Sequence, residues 1–349
     1  MAALGGAMIL MVFAPALVRI LERHRMTDIA RSLAYTGYLW MALIFLFVSA
    51  TLLIDGTRML LWAVVKVFEH DHSFILLTSR QSFFLSLIIS LGITAHGFLD
   101  ALNMRSEHIT IRTTKLPAGI ERFTIVQISD VHLGLMAGKK RLARILKRVE
   151  ASRPDILVST GDLVDGRLSE SVDLTEMIRR ISTPHGKYAV TGNHEFYAGI
   201  EEALAFTTAA GFTVLHAESE SVAGVLTVVG VDDPTGIYYG FSGNVSERGL
   251  LKELDNEQFI LLLKHRPVAA EGIEGLFDLQ LSGHTHKGQI FPFSLIVKRV
   301  YPKTAGLDVL GNNQHLYVSR GAGTWGPPVR FLSPPEVTVI ELRGDNGKS

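Results

Sequence analysis

The chain changes character along its length. Residues 33 to 54, LAYTGYLWMALIFLFVSATLLI, hold no charged side chain, and as a helix they reach across a hydrocarbon core about 30 Å thick. Residues 81 to 99, QSFFLSLIISLGITAHGFL, form a second uncharged run, interrupted only by the small and hydroxylated residues that spanning helices tolerate. The opening stretch from Met1 to Val18 is a third, too long and wrongly flanked for a cleavable signal peptide. Residues 1–105 are therefore expected to form an all-α membrane region with about three spanning helices. Between residues 59 and 79 the apolar pattern is broken by Lys66 and then by Glu69, His70, Asp71 and His72. This tract reads as a polar loop at headgroup level rather than as a metal site.

From Phe123 onward short β-branched runs alternate with amphipathic stretches, the pattern of strand-helix-strand units around a sheet. Strands are expected at 123–129, 156–160, 188–191, 226–231, 259–263, 279–282, 316–319 and 337–342. Helices are expected at 139–151, where Leu142, Ile145, Leu146 and Val149 share one face before Pro154, and at 174–181 and 200–210. The reading gives an α/β domain over 121–343, a linker over 106–120 and a polar tail over 344–349.

Composition narrows the chemistry. Lysine plus arginine balances aspartate plus glutamate at 34 each, so no basic excess points to a nucleic-acid polymer as partner. Cysteine is absent, which excludes disulfides, thiolate metal sites and a cysteine nucleophile. Any metal must be held by nitrogen and oxygen.

Five of the eight expected strands run into side chains able to bind a metal, where ligands collect in α/β sheets. In chain order these are Asp130-Val131-His132, Gly161-Asp162-Leu163-Val164-Asp165, Gly192-Asn193-His194-Glu195, the single His265, and Gly283-His284-Thr285-His286. Singly each has a mundane explanation as a turn or surface residue. Five such clusters in one order, all at strand ends, do not. The mixture of imidazole, carboxylate and amide oxygen suits manganese, iron or zinc and is too rich in nitrogen for calcium or magnesium.

These motifs resemble those of the calcineurin-like metallophosphoesterase family, and the forms Gly-Asn-His-Glu, Gly-His-Thr-His-Lys-Gly-Gln-Ile and Ser-Arg-Gly-Ala-Gly-Thr-Trp-Gly-Pro-Pro resemble its bacterial membrane-associated branch of YkuE-type and YaeI-type phosphodiesterases. The resemblance implies a four-layer α/β/β/α sandwich behind the membrane region. It also implies two divalent metal ions, Mn²⁺ as first choice with Fe or Zn²⁺ as alternatives. One would be held by Asp130, His132, Asp162 and His286, the other by Asp162, Asn193, His265 and His284. A hydroxide bridging the two ions would attack phosphorus, with His194 as general acid and Asp165 orienting it.

The family's phosphate-clamping arginine is displaced here, Gly-Asp-Leu-Val-Asp-Gly-Arg standing where Asp-Arg-Gly is usual, with Arg167 as a partial substitute. A phosphodiester or pyrophosphate substrate, lipid-linked or nucleotide-linked, is expected over phosphoserine. Hydrolysis of a UDP-linked acylated sugar in lipid A synthesis is the narrower alternative, and a non-catalytic sensor or transporter-associated subunit is the alternative of another class. By resemblance the chain belongs to a bacterial inner membrane, crossing it several times. Arg19, Arg23, Arg25 and Arg31 crowd the loop between the first two expected spans, so the positive-inside rule makes that loop cytoplasmic. The catalytic domain is then expected in the cytoplasm if residues 59–79 lie at the outer surface, the reading their charges favour, and outside if they cross back.

Overall fold

A computed structural model describes residues 2–67, 77–166, 171–241, 246–311 and 313–345. Two compact units divide the chain, one of residues 1–101 with 326–331, the other of residues 102–325 with 332–349.

The first unit is helical: α1 (Ala2–Val12), α2 (Ala14–Arg23), α3 (Thr27–Val67) and α4 (Ser79–Asp100). Among the described residues, α3 and α4 are the two helices long and apolar enough to cross a membrane. The 41 residues of α3 correspond to about 60 Å of helix, well beyond a hydrocarbon core. The third expected span is not one helix. The run breaks in a turn at Phe13, with Pro15 in the first turn of α2, and leaves helices of 11 and 10 residues, each about half a bilayer core long. Glu69, His70, Asp71 and His72 lie outside the described residues.

Small side chains let these helices approach closely, as in membrane bundles generally. The buried positions of α4 are Ser82, Ser86, Ser90 and Gly97; those of α3 include Ala30, Ala34, Gly37 and Ala42. Phe47 and Phe83 meet edge to face at 5.4 Å. Thr78 opens α4 with a capping box shared with Gln81. Residues 326–331 belong to this unit as well, and the Arg330 N–H donates to the Gly97 carbonyl at 2.9 Å.

The second unit is the α/β domain. Its first half comprises β1 (Arg105–Thr113), β2 (Arg122–Ile128), β3 (Leu133–Gly134), α5 (Lys139–Ala151), β4 (Ile156–Thr160), β5 (Val164–Asp165), α6 (Ser171–Arg179) and β6 (Lys187–Val190). There follow α7 (Asn193–Ala198), α8 (Ile200–Ala209), β7 (Thr213–Val214), β8 (Glu218–Val222), β9 (Leu226–Gly230), α9 (Thr235–Tyr238) and α10 (Glu247–Lys252). The last are β10 (Phe259–Leu263), β11 (Leu279–Ser282), α11 (Phe293–Val300), β12 (Gly306–Gly311), β13 (Gln314–Val318) and β14 (Glu336–Gly344).

One sheet runs β1-β14-β2-β4-β6-β7 and the other β12-β13-β11-β10-β9-β8, while β3 and β5 form a small parallel pair. Because side chains alternate along a strand, each strand serves two layers. Ile125 joins Ile156, Val158, Leu261 and Leu281 between the sheets, whereas Val126 and Ile128 pack outward with Leu142, Ile145 and Val149 of α5. Likewise Phe259, Leu261 and Leu263 point inward, and Ile260 and Leu262 turn to Leu251 of α10 and to Phe277. The result is the expected four-layer sandwich. All eight expected strands form, within two residues of their expected bounds.

One segment differs from the sequence reading. Residues 106–120 contain β1, whose ladder with β14 is parallel from Arg105↔Glu336 to Thr113↔Gly344. Charged residues at Glu107 and Arg112 obscure its alternation, and its partner lies at the far end of the chain, so nothing local announces it. The same ladder carries β14 to Gly344.

Replacing Leu261, which is wholly buried between the sheets, by alanine is expected to lower the domain's stability by about 2–5 kcal/mol. The readout is the melting temperature of the detergent-solubilised protein. An unchanged melting temperature would show that the sheets do not depend on each other's inner faces.

Candidate metal centre

The parallel strands of both sheets deliver the site. Asp130 follows β2, Asp162 follows β4, Asn193 and His194 follow β6, His265 follows β10, and His284 and His286 follow β11. With His132, which follows Asp130 by two residues, five residues of the site adopt left-handed backbone: Asp130 (φ 52°), His132 (φ 51°), Asp162 (φ 52°), His284 (φ 71°) and His286 (φ 47°). Such conformations cost about 1–3 kcal/mol each in a non-glycine residue and persist only where surrounding contacts impose them. Those contacts are present. The Asp130 N–H donates to Gly161 O at 3.0 Å, the His132 N–H to Asp162 O at 3.0 Å, and the His284 N–H to the Asp130 carboxylate at 3.0 Å. Close approach fixes two glycines: a Cβ at Gly161, itself at φ 90°, would crowd the Gly192 backbone and His265, and one at Gly283 would run into Ser129 Oγ and Asp130 Oδ2.

Two groups of possible ligands result, Asp130 with His132 and His286, all buried, and Asp162 with His265 and His284, of which His284 is half-buried. In the first, His132 Nε2 faces His286 Nε2 at 3.1 Å, and His286 Nε2 lies 3.4 Å from Asp130 Oδ1. In the second, the Thr160 carbonyl accepts from His265 Nδ1 at 2.8 Å, which turns His265 Nε2 toward His284 Nδ1 at 3.1 Å and Asp162 Oδ2 at 3.2 Å. Asp162 Oδ2 also stands 3.8 Å from His132 Nε2, so one oxygen faces both groups. Asn193 is buried, and among the described residues its Oδ1 has no hydrogen-bond partner. An amide oxygen orphaned beside a ring of imidazole nitrogens and carboxylates is what a site for N- and O-ligated metal ions requires. The residues present therefore fit a pair of divalent ions.

A third cluster adjoins them. Asp165 pairs with His194 Nδ1 at 2.9 Å and with His132 Nδ1 at 3.3 Å, tying the expected acid to an expected ligand. Burial works against the charged form of His194, but the Asp165 hydrogen bond and the charges of Asp162, Asp165 and Glu195 outweigh it and push the imidazole up to about 9. Burial would likewise raise Asp165, yet hydrogen bonds from His132 and His194 hold it well below the usual carboxylate range. His265 is driven up to about 10, its burial outweighed by Asp162, while burial and the neighbouring His265 drive His284 down to about 3. A metal ion held at this pair would displace the proton that His265 carries.

Several groups went unassigned in the sequence. Glu195 is buried, and its carboxylate accepts the N–H groups of Leu163 (2.7 Å), Val164 (3.1 Å), Asp162 (3.0 Å) and Gly192 (2.8 Å), clamping the loops after β4 and β6 together. Its place beside Asn193 and His194 was the available signal. The Tyr301 hydroxyl meets His284 Nε2 at 3.0 Å, a partner that only the tertiary fold supplies. Arg266, next to His265, makes a bidentate pair with Asp233 at 2.8 and 2.9 Å and donates to Thr235 Oγ1. Tyr197 and Trp325 stand edge-on to His194, with ring centroids at 5.4 and 6.5 Å. Arg167, the candidate substitute for the displaced clamp, lies outside the described residues.

Two facing sheets whose strand ends hold buried, adjoining imidazole and carboxylate clusters define a metal-dependent hydrolase, and the motif order specifies phosphoric ester bonds as what it cuts. The chain belongs to the calcineurin-like metallophosphoesterase family: the pattern described as "Calcineurin-like phosphoesterase" matches residues 123–288. An "Uncharacterized metallophosphoesterase" of Aquifex aeolicus is 38% identical over 260 residues, which span 74% of this chain and 99% of the relative. The "Uncharacterized metallophosphoesterase YkuE" of Bacillus subtilis is 34% identical, over 69% of this chain and 86% of its own. A "Transmembrane protein with metallophosphoesterase domain" of Danio rerio is 30% identical, over 74% of this chain and 62% of its own.

Changing Glu195 to glutamine keeps the shape but turns an NH₂ group toward backbone donors. The substitution is expected to cost about 1–3 kcal/mol of stability and to lower bound metal, read by melting temperature and elemental analysis. Wild-type values for both would show that Glu195 does not hold the two loops.

Proposed function

We propose that this chain is a membrane-anchored phosphoesterase that uses two metal ions to hydrolyse a phosphodiester or pyrophosphate bond in a substrate carried in or near the bilayer. One observation carries the reading: Asp162 Oδ2 faces His265 Nε2 at 3.2 Å and His132 Nε2 at 3.8 Å, and so can serve both ligand groups. Asp130, His132 and His286 complete one set, and Asn193, His265 and His284 the other. Manganese is our first choice for a donor set of imidazole, carboxylate and amide oxygen. Such ions, when bound, acidify a water and neutralise the phosphoryl oxygens.

The protein's own contribution is a proton and its placement. Asp165 accepts from His194 Nδ1, which fixes the ring and leaves Nε2 to carry the proton that the leaving oxygen needs. The raised pKa keeps His194 cationic at neutral pH. Arg266 is a fixed cation beside His265, clamped by Asp233, and suits contact with a phosphoryl oxygen.

The membrane reading rests on α3 and α4 and on the relatives named as transmembrane proteins. Helix α3 is continuous through Val67, which leaves no separate crossing within residues 59–67. With the arginine-rich stretch before residue 33 inside, α3 leads out and α4 returns, so the catalytic domain faces the cytoplasm. Alkaline phosphatase fused after Arg105 is expected to be inactive and a fluorescent protein there bright; the opposite pattern would place the domain outside.

His194→Ala is expected to keep its metal while losing about 10²- to 10⁴-fold in turnover on substrates with poor leaving groups. The sign of the pH effect follows from the raised pKa: the acid is fully protonated at neutral pH and is lost as pH rises toward about 9, earlier once nearby cations repel the proton. Wild-type turnover should therefore show an alkaline limb at or below that pH, missing in the variant. An equal loss on every substrate, whatever its leaving group, would remove His194 from the acid role.

A further inference from the structure

Helix α11 lies between the site's histidines and the residue that touches them. His286 precedes it by a short loop, and Tyr301, immediately after it, meets His284 Nε2 at 3.0 Å. None of its residues is buried. Phe293, Ile296 and Val300 recur at the spacing of one helical face and are 39%, 58% and 68% exposed, and Leu295 beside them is 60% exposed. Lys298 and Arg299 stand exposed in its last turn. An exposed apolar stripe flanked by cations is costly in water and suits one surface in particular, the headgroup layer of a membrane containing anionic lipid.

We propose that α11 is an interfacial helix, with Phe293, Ile296 and Val300 entering the outer acyl region and Lys298 and Arg299 meeting lipid phosphates. The charge of that turn argues for anionic lipid as the occupant. So does the setting, since α3 and α4 keep a bilayer at hand; the proposal rests on that membrane reading. It follows that the rim of the catalytic site, through Tyr301 and His284, lies at the depth of lipid headgroups. The phosphoester best served there is one borne by a lipid.

The chain has no cysteine, so single cysteines can be labelled without background. The full-length protein, reconstituted in vesicles of phosphatidylcholine and phosphatidylglycerol, would carry an environment-sensitive fluorophore at Ile296→Cys or Val300→Cys. Leu52→Cys in α3 serves as the membrane control and Glu150→Cys on α5 as the aqueous one. Brominated lipid is expected to quench the α11 labels at least about threefold more than the Glu150 label, because an interfacial helix sits about 5–10 Å into the headgroup boundary. Omitting phosphatidylglycerol should weaken that quenching.

Quenching at Leu52 but not at either α11 position would overturn the interfacial helix and leave the membrane anchor standing. Quenching at none would overturn both. Pairing of α11 labels between copies, seen as pyrene excimer emission without lipid quenching, would assign the face to a second copy and also overturn the proposal. In a second arm, Ile296→Glu is expected to raise KM for a phosphodiester presented in vesicles while leaving hydrolysis of soluble bis(p-nitrophenyl) phosphate unchanged. Equal effects on both substrates would contradict the docking role.

Discussion

The site depends on one buried carboxylate. Asp162 is almost wholly enclosed, and an enclosed negative charge is tolerable only with close, directed partners. Its Oδ1 accepts the His194 N–H at 2.9 Å, and its Oδ2 faces imidazoles from both ligand groups. Burial would raise its pKa, but His265 above all, with His194 and His132, holds it well below the ordinary value. Asp130 responds oppositely: burial and the charge of Asp162 push it up. Two carboxylates enclosed among imidazoles form a set that divalent cations balance better than protons do, because each cation answers several partial charges at once.

The rest of the domain can be understood as what keeps Asp162 in place. The Glu195 carboxylate gathers amides from the loops after β4 and β6, including that of Asp162 itself. Left-handed backbone at Asp130, His132, Asp162, His284 and His286 turns successive strand ends toward one centre, and the two sheets, interlocked through Ile125, Leu261 and their neighbours, hold that strain. Strain of this kind, in residues other than glycine, clusters at functional sites.

Much of this was legible in the sequence, and what was hidden has a common cause. Buried strands announce themselves by apolar runs such as Phe259–Leu263, and the candidate ligands announce themselves by standing just after those runs next to glycines. The strand β1, the Tyr301 contact with His284 and the shared use of Glu195 were not legible, because each depends on a partner that is remote in sequence or on backbone amides common to every residue. The division of the first apolar stretch into α1 and α2 could have been suspected from Pro15, which hydropathy alone does not weigh. The grouping of residues 326–331 with the helices could not, since nothing in Gly-Pro-Pro-Val-Arg-Phe marks a helix-packing segment.

The most direct test of the account is metal stoichiometry in Asp162→Asn. If one carboxylate serves both ions, the variant loses activity and most of its bound metal together, measured by elemental analysis on protein whose circular dichroism matches wild type. A folded Asp162→Asn protein with its full metal complement and more than about a tenth of wild-type turnover would contradict the account, because two-ion chemistry through this residue could not survive its loss.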